Sequence, residues 1–291
     1  MKKLFKIAVN FMALTLLTLC TFGLAACEDI KRLELDLTIY NFTDKEFYDA
    51  ADVKFNVELY RHLADETVDA VLNHVRNDYY KDAIFYKESG YSSQIMMGDL
   101  KIVDGELCLN LIDGKLPSQI YGEFKNNGTA GSDLVNEKGY IGLWRSWYAS
   151  SEGEYKNNNG MDSGRATWYI PTTSISGYDG YFCIFAKYDK DNTANATAIS
   201  ALTSVFSSSD NYDEYVIYYT GEYDADKADE SFGLSFHAVL KTTFSSDDFA
   251  DKDAVFEAED DQFTYYNART VYIPKTVDGK VGAKVNSVKI K

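Results

Sequence analysis

The sequence predicts a mainly β protein, and three observations predict it. Apolar and polar residues alternate along Leu33, Leu35, Leu37 and Ile39 and again along Val53, Phe55, Val57 and Leu59, the period-two pattern of strands with one buried face. Twenty-three tyrosines against three prolines, with no sustained heptad, suit extended structure. Helical periodicity is confined to two stretches, one after Asp65 and one from Ala194 to Phe206.

Residues 1–26 stand apart from that fold. Lys2, Lys3 and Lys6 precede an apolar run from Ile7 to Phe22, and the small residues Gly23-Leu24-Ala25-Ala26 lead to Cys27, the layout of a cleaved signal peptide. Leu24-Ala25-Ala26-Cys27 resembles the lipobox of bacterial lipoproteins. That resemblance implies a lipidated Cys27 at the mature N-terminus and an extracytoplasmic domain anchored to the bacterial cell membrane, since two or more acyl chains hold a protein stably on a bilayer.

The remaining elements follow in order. Leu33 to Ile39 predicts a strand, Asn41 to Asp52 a polar connection, and Val53 to Leu59 a second strand. Asp65 can cap a helix whose Val68, Val71, Leu72 and Val75 recur at three- and four-residue spacing, while Glu66, Asp69, Asn73 and Arg76 form the polar stripe. Tyr79-Tyr80-Lys81-Asp82 is turn-like, and Ala83 to Lys87 returns to strand character, with Lys87 near a surface. After a loop over Glu88 to Ser93 come strands at Gln94 to Met97 and Leu107 to Ile112. Lys125 to Asn136 reads as loop, Tyr140 to Trp147 as strand, and Ala149 to Gly164 as a second polar loop. Thr167 to Pro171 and Tyr181 to Lys187 are short strands, and the second helix sets Ala198, Leu202 and Val205 on one side. Tyr215 to Thr220, Phe232 to Thr243 and Val285 to Ile290 are the last strand-like segments.

A formal net charge of −16 gives a surface that repels phosphate backbones and disfavours nucleic acid as a partner. The acidic run Asp247, Asp248, Asp251, Asp253, Glu257, Glu259, Asp260 and Asp261 lacks the spacing of a calcium loop and reads as a solvated face. His62, His74 and His237 have no metal-ligand spacing, and no phosphate loop, nucleophile elbow or dinucleotide fingerprint is present, so no metal and no cofactor is expected. Cys20 belongs to the leader. Cys108 and Cys183 could pair in an oxidising compartment, but their apolar surroundings favour two buried thiols.

Four blocks resemble the cyclophilin family of peptidyl-prolyl cis-trans isomerases. Ala64 through Lys87 aligns without a gap to A-P-x-T-V-x-N-F-x-x-x-V-x-x-G-x-Y-D-G-x-I-F-H-R, matching at Ala64, Thr67, Val68, Val75, Tyr80, Ile84 and Phe85. Ile95-Met96-Met97-Gly98-Asp99 resembles I-Q-G-G-D, Ser163 through Ile170 resembles S-x-x-S-Q-F-F-I, and Tyr178 through Ala186 resembles L-D-G-x-H-x-x-F-G. The blocks occur in the family's order over residues 30 to 206. The resemblance implies a cyclophilin-like closed antiparallel eight-stranded barrel with two capping helices. On that plan residues 27–206 form the cyclophilin-like domain, 207–267 an acidic, tyrosine-rich insertion, and 268–291 the closing strand.

It also implies a site. Prolyl isomerisation needs a donor that draws the amide nitrogen out of resonance and an apolar pocket for the ring. The family's arginine falls on Lys87, which keeps the charge but not the planar two-point fork. The family's two glutamines fall on Met96 and Thr167, the pocket phenylalanine on Tyr169, the leucine before Asp-Gly on Tyr178 and the pocket histidine on Phe182, with Tyr91 or Ser93 available for the remaining aromatic position. Period two sends Trp168 and Tyr169 to opposite faces, so only one of them can point at a ligand. The implied function is a membrane-anchored, weakened isomerase acting on proline-containing segments of exported proteins. The alternative is a catalytically inactive peptide- or protein-binding surface lipoprotein on the same fold.

Overall fold

The computed structural model describes residues 31–48, 53–129, 134–145, 164–220, 222–224, 235–244, 262–264 and 269–291. The leader and Cys27, most of the second polar loop and the acidic run lie outside the described residues. The main strands are β1 (Arg32–Asn41), β2 (Lys54–Leu59), β3 (Ala83–Glu88), β4 (Gln94–Val103), β5 (Glu106–Leu109), β6 (Tyr140–Leu143), β7 (Trp168–Pro171), β8 (Ile184–Lys187), β9 (Tyr212–Thr220), β10 (Ser235–Leu240), β11 (Arg269–Pro274) and β12 (Ala283–Ile290). The helices are α1 (Asp65–Arg76) and α2 (Thr193–Val205).

Eight strands close on themselves in the order β3-β12-β1-β2-β8-β6-β7-β4 and back to β3, every pairing antiparallel. The mainly β, closed eight-stranded antiparallel barrel with two helices expected from the sequence is therefore the fold of the chain. Its interior follows from the period-two pattern. Leu33, Leu35, Leu37 and Ile39 of β1, with Phe55, Val57 and Leu59 of β2, point inward to Phe85, Met97, Trp168 and Phe185. The indole of Trp168 donates to the Tyr80 hydroxyl at 2.9 Å, so the largest core side chain has its polar atom satisfied.

Both helices add their apolar stripes to this core: Val68, Val71, Leu72 and Val75 from α1, Ala198, Ile199, Leu202 and Val205 from α2. Their start signals differ. Asn192 caps α2 through its own side chain, and the buried Asn195 exchanges hydrogen bonds with both main-chain groups of Asn56, fixing α2 to β2. For α1 the expected Asp65 cap is replaced by a carboxylate from far along the chain: Glu123 accepts from Glu66 N at 3.1 Å and Thr67 N at 2.7 Å. Asp65 lies inside the first turn and favours the helix dipole by charge.

The barrel's outer surface has two characters. Across β1, β2, β8 and β12 it is a lattice of ion pairs, with Lys54 and Lys289 on Asp36, Lys291 on Glu34 and Lys187 on Glu58. Solvent covers that side. Across β3, β4 and β7 it is apolar, and more of the chain covers it. β3 pairs with β12 at Ile84 but with β11 at Lys87 and Glu88, so the sheet branches there. Through the branch β11, β9 and β10 continue the sheet, while β5 extends it beyond β4 through a tight turn at Asp104-Gly105, both in the left-handed region.

The result is a second core outside the first. Ile84 and Tyr86 of β3, Met96 and Leu100 of β4 and Tyr169 of β7 pack with Leu107, Ile217, Val271, Ile273 and Phe182. β9 and β10, which belong to the segment expected as an insertion, are thus continuous with the barrel's own sheet. Cys108 and Cys183 are both free thiols, Cys108 half-buried and Cys183 buried.

Candidate functional site

The second core ends in a nest of aromatic rings, and it gathers most of the residues that the family resemblance singled out. Met96 and Tyr169 sit opposite each other on β4 and β7, each 0% exposed. The Tyr169 ring lies against the backbone of Gly142 and occupies the space that an added Cβ would need. Its hydroxyl donates to Asn136 Oδ1, and burial raises its pKa well above the usual phenol value. The ring of Tyr178 meets Tyr169 edge-on at 5.7 Å and stacks on Phe182 at 4.4 Å. Alternation thus sends Trp168 into the barrel and Tyr169 to the outer face.

Trp144 packs against these rings and stays half-buried. Its ring stacks on Phe182 at 5.3 Å with 22° between planes and meets Tyr91 edge-on at 5.0 Å, and its main-chain N–H donates to the carbonyl of Thr167 at 2.7 Å. Thr167 is itself buried. It holds Trp144 through its main chain. Tyr91, Trp144, Tyr178 and Tyr181 remain half-buried and form an aromatic rim at the surface.

Lys87 stands elsewhere. Phe85 of β3 faces the barrel interior and Tyr86 the outer core, so period two returns Lys87 to the Phe85 side. Its ammonium donates to Ser92 O at 2.9 Å and lies 5.8 Å from the centre of the Phe206 ring, and desolvation lowers its pKa. The structure brings together Met96, Tyr169, Tyr178, Phe182 and Tyr91 and leaves Lys87 on the other face of β3. The charged β3 side chain on the outer face, with Ile84 and Tyr86, is Glu88, 6% exposed and paired with Arg269 at 2.8 Å. Asp99 joins this network, accepting from the Tyr86 hydroxyl at 2.9 Å and lying 3.6 Å from Arg269.

The cation against the rings is Arg145. Its guanidinium lies 4.9 Å from the ring centres of both Phe124 and Phe182, and its Nε donates to Tyr181 O at 2.7 Å. Sequence reasoning passed over Trp144 and Arg145 because they were read simply as part of a strand. The signal was a planar cation following an aromatic in Gly142-Leu143-Trp144-Arg145. Gln94 was missed too, although period two from Met96 puts it on the same outer face, opposite Pro171.

Cys183 touches Thr67 Oγ1 at 3.4 Å, and burial pushes its thiol pKa up to about 12, so it stays protonated. Among the described residues no group of three or more His, Cys, Asp or Glu could hold a metal ion.

No protein-family profile matches the chain, and no curated protein matches it. Among solved structures it is similar to a cyclophilin-type peptidyl-prolyl cis-trans isomerase of Cryptosporidium parvum, at 14% identity and a TM-score of 0.35, over 58% of this chain and 84% of that one. The same isomerase solved in the presence of the dipeptide Ala-Pro matches at 17% identity and a TM-score of 0.35, over 57% and 84%.

Proposed function

We propose that this chain is a surface lipoprotein that holds polypeptide segments on a cyclophilin-like barrel without isomerase turnover. The observation that carries it is the packing of the rings: Trp144 stacks on Phe182, while Lys87 lies across β3 from those rings. The half-buried rim of Tyr91, Trp144, Tyr178 and Tyr181 suits apolar side chains of a partner, since aromatic faces give large contact area at small entropic cost. The leader and Cys27 support an extracytoplasmic, membrane-anchored location.

A protease-coupled assay with a proline tetrapeptide tests the reading. The expected rate equals the uncatalysed one, with saturable binding of the same peptide; a catalysed rate contradicts it. Cys27→Ala is expected to release the protein from membranes, and a variant that stays bound would refute lipidation as its tether. One observation favours residual isomerase activity instead: the Arg145 guanidinium against Phe182 is a planar donor beside the rings. On that second reading Arg145→Ala abolishes a measurable rate that Lys87→Ala leaves intact.

A further inference from the structure

The second core is wrapped by strands that stop one pairing short of closure. β5, β4, β3, β11, β9 and β10 pair in that order, and β5 and β10 end the sheet with one strand partner each. The two ends approach each other, yet no main-chain pairing joins them. A groove of about 730 Å³ remains between them, lined by Leu107, Leu109, Leu111, Phe236, Ala238 and Leu240. Leu240 is 39% exposed there.

The register of the β4–β5 hairpin decides which backbone groups face the groove. Asn110 N donates to Asp99 O at 2.7 Å, so by antiparallel alternation Cys108 and Glu106 also bond across to β4. Leu107 and Leu109 turn their N–H and C=O groups outward, and among the described residues no main-chain bond meets them. Their side chains pack on the second core. Ala238 is placed alike on β10: Lys241 N donates to Glu214 O at 2.8 Å, so the alternation turns the Ala238 backbone away from β9. Edge strands in native proteins are commonly blunted by proline, lysine or a bulge. Neither Glu106 to Leu109 nor Ser235 to Leu240 carries any of these.

Unused N–H and C=O groups beside an apolar groove call for an extended polypeptide, whose main chain supplies both partners at every second residue. Charge narrows the choice. Among the described residues the groove carries Glu106 and no lysine or arginine, in a chain of net charge −16. A second copy brings the same charge and is repelled, whereas a segment flanked by basic residues is attracted.

We propose that β5 takes up an extended segment of a basic partner polypeptide as an added antiparallel strand. The main chain of the segment bonds to Leu107 and Leu109, and its alternate apolar side chains enter the groove beside Phe236 and Leu240. This surface shares no residue with the rim of Tyr91, Trp144, Tyr178 and Tyr181 and does not depend on what the rim binds.

A fluorescently labelled peptide, Lys-Lys-Val-Thr-Val-Thr-Val-Lys-Lys, titrated into the full chain tests it. Saturable binding is expected, weakened about tenfold or more when the valine amides are N-methylated, because the donors that face β5 are gone. Methylation of the threonine amides, which face away, leaves affinity unchanged. Leu109→Pro, which removes an N–H that the fold does not use, is expected to weaken binding by a similar factor, and Leu109→Ala, which keeps it, by less. The methylated peptides meet wild-type protein, so they decide the matter even if the proline variant fails to fold. No binding of the parent peptide, or equal binding of all three peptides, overturns the inference. Displacement by excess proline tetrapeptide would put the peptide on the rim and overturn it too, as would a wild-type dimer that Leu109→Pro dissociates, which gives the edge to a second copy.

Discussion

Lys87 and Glu88 are neighbours in one strand and belong to different environments: the ammonium of Lys87 reaches Ser92 O at 2.9 Å on the barrel side, while the carboxylate of Glu88 takes Arg269 at 2.8 Å in the outer core. That parting of adjacent side chains decides which charge the aromatic nest sees. It also locates the branch of the sheet, because Lys87 and Glu88 pair with Tyr272 and Val271 of β11.

Arg269 is the cation between Glu88 and Asp99, so Arg269→Met leaves the buried Glu88 carboxylate without its partner and the half-buried Asp99 beside it. The expected cost is about 3–5 kcal/mol near neutral pH, read from urea unfolding. Burial already raises the Glu88 pKa, and loss of Arg269 raises it further. Protonated Glu88 needs no cation, so the penalty shrinks as pH falls through its raised pKa. A cost below about 1 kcal/mol would mean that water reaches the network.

His74 is buried on α1, and desolvation lowers its pKa to about 4 from an ordinary value near 6.5. A depressed folded-state pKa means that the unfolded chain binds the proton first, so stability is full above the unfolded value and is lost as pH falls from about 6.5 to about 4. The loss is about 3 kcal/mol at 1.36 kcal/mol per pKa unit. His74→Leu is expected to flatten that part of the profile. Unchanged acid sensitivity in the variant would place the titration elsewhere.

The Tyr169 ring occupies the space that any side chain at position 142 would need. Gly142→Ala is expected to destabilise by about 1–3 kcal/mol through overpacking, and Tyr169→Leu in the same chain to recover part of it. A calorimetric double-mutant cycle measures this; additive effects would show that the two positions are not in contact.

The α1 cap separates what the chain's local chemistry encodes from what its topology supplies. Glu123→Ala is expected to cost about 1 kcal/mol and Asp65→Ala less, compared by thermal unfolding. The reverse order would restore the local cap that the sequence suggested. A residue 56 positions away from the Thr67 amide it accepts from carries no signal at the helix itself.

The barrel was legible for the same physical reason that the cap was not. β1 and β2 have one wet face, so Leu33 to Ile39 and Val53 to Leu59 alternate cleanly, and a period of two reports burial directly. β3 reads Ala83-Ile84-Phe85-Tyr86 without alternation, and all four are buried, because one face meets the barrel core and the other the second core. That unbroken apolar run was the available sign that something covers the outer face. The aromatic positions Tyr169, Tyr178 and Phe182 were found through the family pattern. Position along the chain could not tell that Trp144 packs against them, since its partners lie at 91, 178 and 182.

Met96→Gln tests the central claim most directly. It restores the glutamine of the family pattern at a position that is 0% exposed within an apolar core. If the outer face of β3, β4 and β7 is interior, the variant loses about 1–3 kcal/mol of stability to a buried, unpaired amide, and its proline isomerisation stays at the uncatalysed rate. A variant that keeps wild-type stability and gains a catalysed rate would show that this face is an open groove, contradicting the account.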